Sequence, residues 1–425
     1  MNPFKEKAKS LTSFSNDWKK MYPKSYDKHS IDPYTKTRII LMNGTEFEAN
    51  WFSHQFARHV CDNDLRRDLA TVREMEKEQQ LKLSLLKPED ESVLEHTISY
   101  EQLATDLTAE LAKRETNLNV KNALNFALLE DFDHLYRYAN LLEMRDKIHA
   151  ETLVGRYTEI MPGRPTIAHH RCPVDNVKYN ITNKKNDVQT VLNTMIITGA
   201  EQQTMNYYMN VATFNTDDLS RKLYQEIALV EEEHVTSYES LIDCNGTLFE
   251  MALWHEYLEC YLYWSCYQTE TDSYVKKLWE ENLDIELAHL NSAVRLLNKY
   301  ENKDWCEVIP DGTFPEPISL HENIDYVRDV LNNSVQYTSC REKYCLLKDM
   351  DEDSDFFHRQ NSLNKSVKDV PSHMVIEEYL EKNKEDYRYE TEENPISELR
   401  DRSVDNTKVG RCPCATEEKS FFKNC

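Results

Sequence analysis

The sequence predicts an all-α protein, and three observations carry that prediction. Glycine is scarce, seven residues in 425, where average usage is about 7%. Apolar residues recur at the three-and-four spacing of a helix face through most of 92–300. Turn and N-cap residues punctuate those runs at helix-length intervals.

Composition excludes several function classes. Lys plus Arg is 51 and Asp plus Glu is 75, a formal charge of −24. A surface this acidic argues against nucleic acid and against an anionic membrane as partners. No two of the seven glycines lie close enough for a Rossmann fingerprint or a P-loop, so phosphate cradled on glycine is not expected. No run approaches ~18 apolar residues, and no apolar h-region follows the N-terminal MNPFKEKAKS. The chain therefore reads as cytoplasmic, its eleven cysteines reduced. Cys340…Cys345 and Cys412-Pro413-Cys414 are not the paired CxxC units of a rubredoxin-type iron or structural zinc site.

Residues 1–90 read as an extension with a short strand over Arg38–Met42, a turn at Asn43-Gly44 and a charged helix from Asp62 to about Gln80. Ser92-Val93-Leu94-Glu95 has capping-box form and opens a helix to about Arg114. A second helix runs from about Val120 to Thr152. The connection 153–185 holds Pro162, Gly163, Pro165 and Pro173, which rule out one continuous helix. Its His169-His170-Arg171-Cys172 reads as surface loop, the alternative being a cap over a site. Helices follow at about 187–213, 218–243, 247–269 and 273–300, and one more is expected at 322–333. Residues 301–425 read as a polar C-terminal extension, charge-dense from Lys348 onward.

Within 91–300, polar residues interrupt the apolar stripes at a repeated spacing. Asp131 and His134, Glu231 and His234, and Glu286 and His289 each place a carboxylate and an imidazole at i, i+3, on one helix face. Thirty residues before each carboxylate stands another, Glu101, Glu201 and Glu256. The midpoints Thr116, Thr216 and Thr271 fall in polar turns. Fifteen residues up and fifteen down, at ~1.5 Å each, return the chain to the same depth. Each lone Glu thus faces its carboxylate–His pair across a helix hairpin. Unpaired carboxylates in a core cost several kcal/mol each. Carboxylates and imidazoles projecting inward from four helices are the ligand set of a dinuclear iron or manganese centre. Glu130, four residues before His134, is the alternative to Asp131, and Glu232 and Glu233 read as solvated neighbours.

These motifs resemble the ferritin-like di-iron carboxylate superfamily, rubrerythrin-type helical bundles above all. Glu201 through Tyr208 resembles a first helix and Glu231-Glu232-Glu233-His234 its partner. Trp254-His255-Glu256-Tyr257-Leu258-Glu259, with two Glu three apart, resembles the third helix, and Glu286-Leu287-Ala288-His289 the fourth. The resemblance covers about half the chain. It departs in Asp131, in a third hairpin where a bundle needs two, and in lacking a rubredoxin-like cysteine set.

The resemblance implies a ferritin-like antiparallel bundle with an extra helical hairpin and irregular terminal extensions. Its metal ligands would come from Glu101, Asp131, His134, Glu201, Glu231, His234, Glu256, Glu259, Glu286 and His289. A bundle's crossover must run its length, ~45 Å, which takes at least ~14 extended residues. The 153–185 connection suffices and the turn at Asp243–Gly246 does not. Hairpins one and two are therefore expected to pair within the chain, with hairpin three packing alongside or pairing with its copy in a homodimer. The cofactor would be two iron ions per site, or manganese. The activity implied is reduction of O2 or peroxide with re-reduction by an external electron donor. The alternative is a non-enzymatic protein that binds or stores iron, or uses metal structurally.

Overall fold

The computed structural model describes residues 1–14, 17–155, 157–388 and 396. The Cys412-Pro413-Cys414 tail lies outside the described residues. Those residues form thirteen α-helices and one two-stranded sheet. In chain order they are α1 (Trp18–Met21), α2 (Pro33–Arg58), α3 (Asn63–Ser84), α4 (Val93–Arg114), α5 (Leu118–Asp146), α6 (Ala150–Leu153), α7 (Val188–Val211), α8 (Asp218–Glu239), α9 (Leu248–Thr269), α10 (Ser273–Glu301) and α11 (Ile324–Ser334). Strands β1 (Tyr337–Cys340) and β2 (Lys343–Leu346) follow, then α12 (Asp355–Leu363) and α13 (Pro371–Asn383). No described helix is long and apolar enough to cross a membrane.

The chain divides into two compact units, each assembled from separate stretches. Unit 1 comprises Met1–Glu91, Asn180–Gln203 and Ile242–Leu320; unit 2 comprises Ser92–Tyr179, Thr204–Leu241 and the C-terminal residues from His321. Helix α7 crosses the division at Gln203.

Unit 1 is built on two helix hairpins, α2–α3 and α9–α10. Asp62 caps α3 through the Asp64 and Leu65 amides. Thr247 and Glu250 form a capping box on α9, and Asp272 caps α10, each satisfying donors that a helix start leaves orphaned. Phe52 and Phe56 of α2, Leu65 and Leu69 of α3 and Leu296 of α10 close one end of the core, with Phe249 and Ala252 of α9 against them. The strand expected over Arg38–Met42 is helix. All five of those residues are buried, and a continuous apolar run does not distinguish a strand from a fully buried helix. Asn43-Gly44 is not a turn but mid-helix. A Cβ on Gly44 would sit 2.9 Å from the Gln203 Cβ, so glycine here permits close approach of α7.

Unit 2 is centred on the α4–α5 hairpin, with α8 packed on α5. The Ser92–Glu95 capping box is present. The second helix stops earlier than its stripe predicts, because Lys147 adopts a left-handed conformation, φ 60°, and a short α6 follows. The described residues after Leu320 belong to unit 2. Val327, Val330 and Leu331 of α11 pack on Leu128, Leu129 and Phe132 of α5. Arg388 bonds Glu151 and Asn140, and Ser372 at the start of α13 bonds Glu226 of α8. Buried hydrogen bonds and the Arg388–Glu151 ion pair add to that apolar contact.

Candidate metal centres

In unit 1, four helices aim acidic groups at one buried point. Glu46 comes from α2, Glu76 and Gln79 from α3, Glu256 and Glu259 from α9, and Glu286 and His289 from α10. Glu46, Glu286 and His289 are fully buried, and Glu76 and Glu259 nearly so. Oxygens of Glu76 and Glu256 and a ring nitrogen of His289 lie within 4.8 Å of one another, as do oxygens of Glu256, Glu259 and Glu286. His289 Nδ1 is 3.1 Å from Glu286 Oε2 and 3.8 Å from Glu256 Oε2. Gln79 donates to Glu286 Oε1 at 2.6 Å, and the Tyr263 hydroxyl donates to Glu46.

Five carboxylates thus face one imidazole. Among the described residues none of the five is ion-paired to lysine or arginine. Both oxygens of Glu259, one each of Glu46, Glu76 and Glu256, and His289 Nε2 have no hydrogen-bond partner among the described residues. The electrostatics follow from that crowding. Burial, then the charge of Glu286, pushes the carboxyls of Glu46 and Glu259 well above their ordinary range. Burial does the same to Glu256, against the pull of His289, and it lifts Glu76 to about 7. Burial alone would depress the His289 imidazole, but Glu286 leads the carboxylates that push it up to about 9.

In unit 2, Glu101 of α4, Asp131 and His134 of α5, and Glu231 and His234 of α8 converge. Glu101, His134 and Glu231 lie mutually within 4.8 Å, and so do Asp131, Glu231 and His234. His134 Nδ1 is 3.0 Å from Glu231 Oε1. His234 Nδ1 is 2.9 Å from Glu231 Oε2 and 3.3 Å from Asp131 Oδ1. Among the described residues, neither Asp131 oxygen has a hydrogen bond, nor does His134 Nε2. Burial raises the Asp131 carboxyl. Burial would raise Glu231 too, but His134 and then His234 bring it down to about 2.

Glu130 is not an alternative to Asp131 facing the centre. Its Oε2 accepts from His234 Nε2 at 2.7 Å, which turns His234 Nδ1 toward Asp131 and Glu231. Such an outer carboxylate fixes a ligating imidazole's tautomer and orientation. Glu130 is itself neutralised by Arg171 and approached by Arg164. Arg171 also pairs with Glu233 at 3.0 Å. His169, His170 and Arg171 are therefore not surface loop; all three are buried. Glu233 is buried too, not solvated.

The structure brings Glu101, Asp131, His134, Glu231 and His234 together in unit 2, and Glu256, Glu259, Glu286 and His289 together in unit 1. Glu201 is buried on α7, in the stretch belonging to unit 1. Hairpin α9–α10 meets further buried carboxylates within the chain, Glu46 on α2 and Glu76 on α3. Glu46, Glu76 and Gln79 were missed, although the signal was there. Glu46 and Glu76 are thirty residues apart, their midpoint is Cys61 in the turn between α2 and α3, and Glu76-x-x-Gln79 repeats the i, i+3 spacing. Reading Arg38–Met42 as strand hid the hairpin. No protein-family model, curated protein or solved structure matches this chain.

Proposed function

We propose that this chain is a carboxylate-bound metal protein of the di-iron or di-manganese kind, acting as an oxidoreductase on O2 or peroxide. One observation carries the proposal, the unit 1 cluster of five carboxylates against one imidazole. Its residues fit a pair of divalent ions by charge and by donor type. Hard oxygen donors with one or two nitrogens suit iron and manganese, and two such ions would neutralise charge that the protein leaves unbalanced. Glu46, Glu76, Glu256, Glu259, Glu286 and His289 would hold them, with Gln79 orienting Glu286. Bound there, the metal would supply one-electron redox chemistry and Lewis acidity.

Access supports a redox rather than a storage role. A cavity of about 30 Å³ reaches Glu76, Glu256 and His289 between Ala49, Phe52, Phe56, Leu69, Val72 and Leu296. One water needs ~10–15 Å³ measured this way, so the cavity has room for a diatomic or a pair of waters.

The test is metal analysis and optical spectroscopy of the purified chain after anaerobic reconstitution with Fe(II) or Mn(II). Wild type should bind at least two ions. Glu286→Ala with His289→Ala should lose the unit 1 ions, and Glu231→Ala with His234→Ala those of unit 2. Equal metal content in wild type and both variants would end the proposal.

A further inference from the structure

Unit 2 carries an open groove of about 670 Å³ between the start of α5, the end of α11 and the β1–β2 hairpin. That volume lies within the ~300–1,000 Å³ range of pockets that hold small organic ligands. Asn119, Asn122 and Asn125, spaced by three along the first turns of α5, line it on one side. Asparagine is a poorer helix former than the Glu, Lys or Arg usual on an exposed helix face, so the helix itself does not explain the stripe. Asn119 Nδ2 donates to the Tyr179 carbonyl at 2.5 Å, and Asn125 Oδ1 accepts from the Tyr326 hydroxyl at 2.7 Å. Those bonds fix two of the amides and leave the Asn119 oxygen and the Asn125 nitrogen for another partner. Asn122 is exposed.

The rest of the lining is largely aromatic. Tyr179 is 57% exposed and Tyr337 37%. Pairing of Tyr337 with Leu346 and of Ser339 with Tyr344 puts Tyr337 and Tyr344 on one face of the hairpin. Tyr344 packs on Phe126 with ring centroids 4.8 Å apart. Lys178 Nζ lies 4.7 Å from the Tyr344 ring, and the Arg164 guanidinium 4.1 Å from that of Phe126. Arg164 also donates to the Tyr337 carbonyl at 2.7 Å, and Lys178 to that of Arg341 at 2.5 Å. The aromatic wall is thus held in place by the protein, which lowers the ordering cost of binding.

Charge narrows the ligand. The chain is 30% charged with a net charge of −24, yet among the described residues lining the groove only Glu342 and Lys343 are charged, and they cancel. A neutral site in so acidic a chain suits a neutral ligand. Amides both donate and accept, as hydroxyl groups do. Exposed tyrosine rings add flat apolar faces with a polar tip. A pyranose ring has the matching duality, an apolar C–H face and a rim of hydroxyls. Rings and amides favour such a ligand over a peptide, whose recognition rests on backbone bonding along a strand edge and apolar pockets for alternate side chains.

We propose that this groove binds a short neutral oligosaccharide, its pyranose rings lying on Tyr179 and Tyr337 and its hydroxyls bonded to the amides of Asn119, Asn122 and Asn125. The site shares no residue with either carboxylate cluster, so it stands or falls independently of the metal reading.

The experiment titrates the full chain with cellohexaose, maltohexaose, mannohexaose and chitohexaose, by calorimetry and saturation-transfer NMR. At least one should bind saturably in the sub-millimolar range, equally at low and high salt because no ion pair forms. Tyr179→Ala and Asn122→Ala should each weaken that binding at least tenfold. Both side chains are exposed, so circular dichroism should be unchanged. Phe214→Ala, which removes a ring 71% exposed elsewhere in unit 2, should leave the affinity as it was. Binding of none of the four sugars, or binding that survives both substitutions, overturns the proposal. So does binding of oligogalacturonate or of random heptapeptides in place of all four.

Discussion

Replacing Glu76 by glutamine should stabilise the metal-free protein at alkaline pH and destabilise it at acid pH. Glu76 is 2% exposed, and its pKa rises from an ordinary 4.5 to about 7 in the fold. A carboxyl whose folded pKa is raised holds its proton more tightly folded than unfolded. No penalty exists below pH 4.5, and the penalty then grows until pH 7. Each pH unit in that window costs the folded state about 1.4 kcal/mol, roughly 3 kcal/mol in all. Glutamine cannot ionise, so it removes that cost. Its amide needs partners that the site does not fully supply, a loss of about 1 kcal/mol. The variant should therefore be more stable by about 2 kcal/mol at pH 8 and less stable by about 1 kcal/mol at pH 4.5. Unit 1 can be followed alone, because all six tryptophans, at 18, 51, 254, 264, 279 and 305, lie in it. Urea unfolding of chelated protein, read by tryptophan fluorescence, should show the midpoint moving up by about 1 M at pH 8. Saturating Fe(II) should reverse the order, since wild type gains more from bound metal. A variant less stable than wild type at both pH values would refute the reasoning and make Glu76 an ordinary hydrogen-bonding group.

Three further outcomes are expected. Unit 2 should respond to acid in the opposite sense: Glu231, beside His134 and His234, and Asp133 of α5, paired with Arg137 one turn on, are both held at about 2 and contribute stability present above pH 4.5 and lost as pH falls to 2. Tyrosine circular dichroism in urea should report that loss, and a pH-independent transition would count against the imidazole and Arg137 pairings. Arg171→Met should cost about 3–5 kcal/mol by leaving Glu233 buried without its arginine and Glu130 with only the more distant Arg164, with partial recovery on adding Glu130→Gln; a thermal shift equivalent to under ~1 kcal/mol would mean the pairs behave as exposed ones. Gly44→Ala should destabilise by about 1 kcal/mol, overpacking against Gln203 outweighing helix propensity, whereas Gly199→Ala, whose nearest neighbour would be 3.5 Å away, should gain; equal gains at both positions would remove the close-approach argument.

Four hairpins share one rule, a carboxylate and a second carboxylate thirty residues on, with the turn midway. That much is local. Caps at Ser92, Thr247 and Asp272, stripes at helical spacing and turn residues at the midpoints depend on neighbours a few residues apart, so the sequence alone determined the helices within 92–300 and the register of their acidic groups. Partner choice was not local. The crossover length favoured hairpins one and two, and α5 and α8 do meet around Asp131 and Glu231. The same logic had no means of seeing that α9–α10 would close on α2–α3. Hairpins with equal register are interchangeable by depth, and what separates them is fit between surfaces, such as Phe52 and Leu69 against Leu296. Arg38–Met42 shows the related limit, since a run buried on every side carries no period to read. Likewise Arg171 and Arg388 read as loop and tail charge. Only the tertiary structure supplied Glu130, Glu233 and Glu151, the buried carboxylates that make burying an arginine favourable.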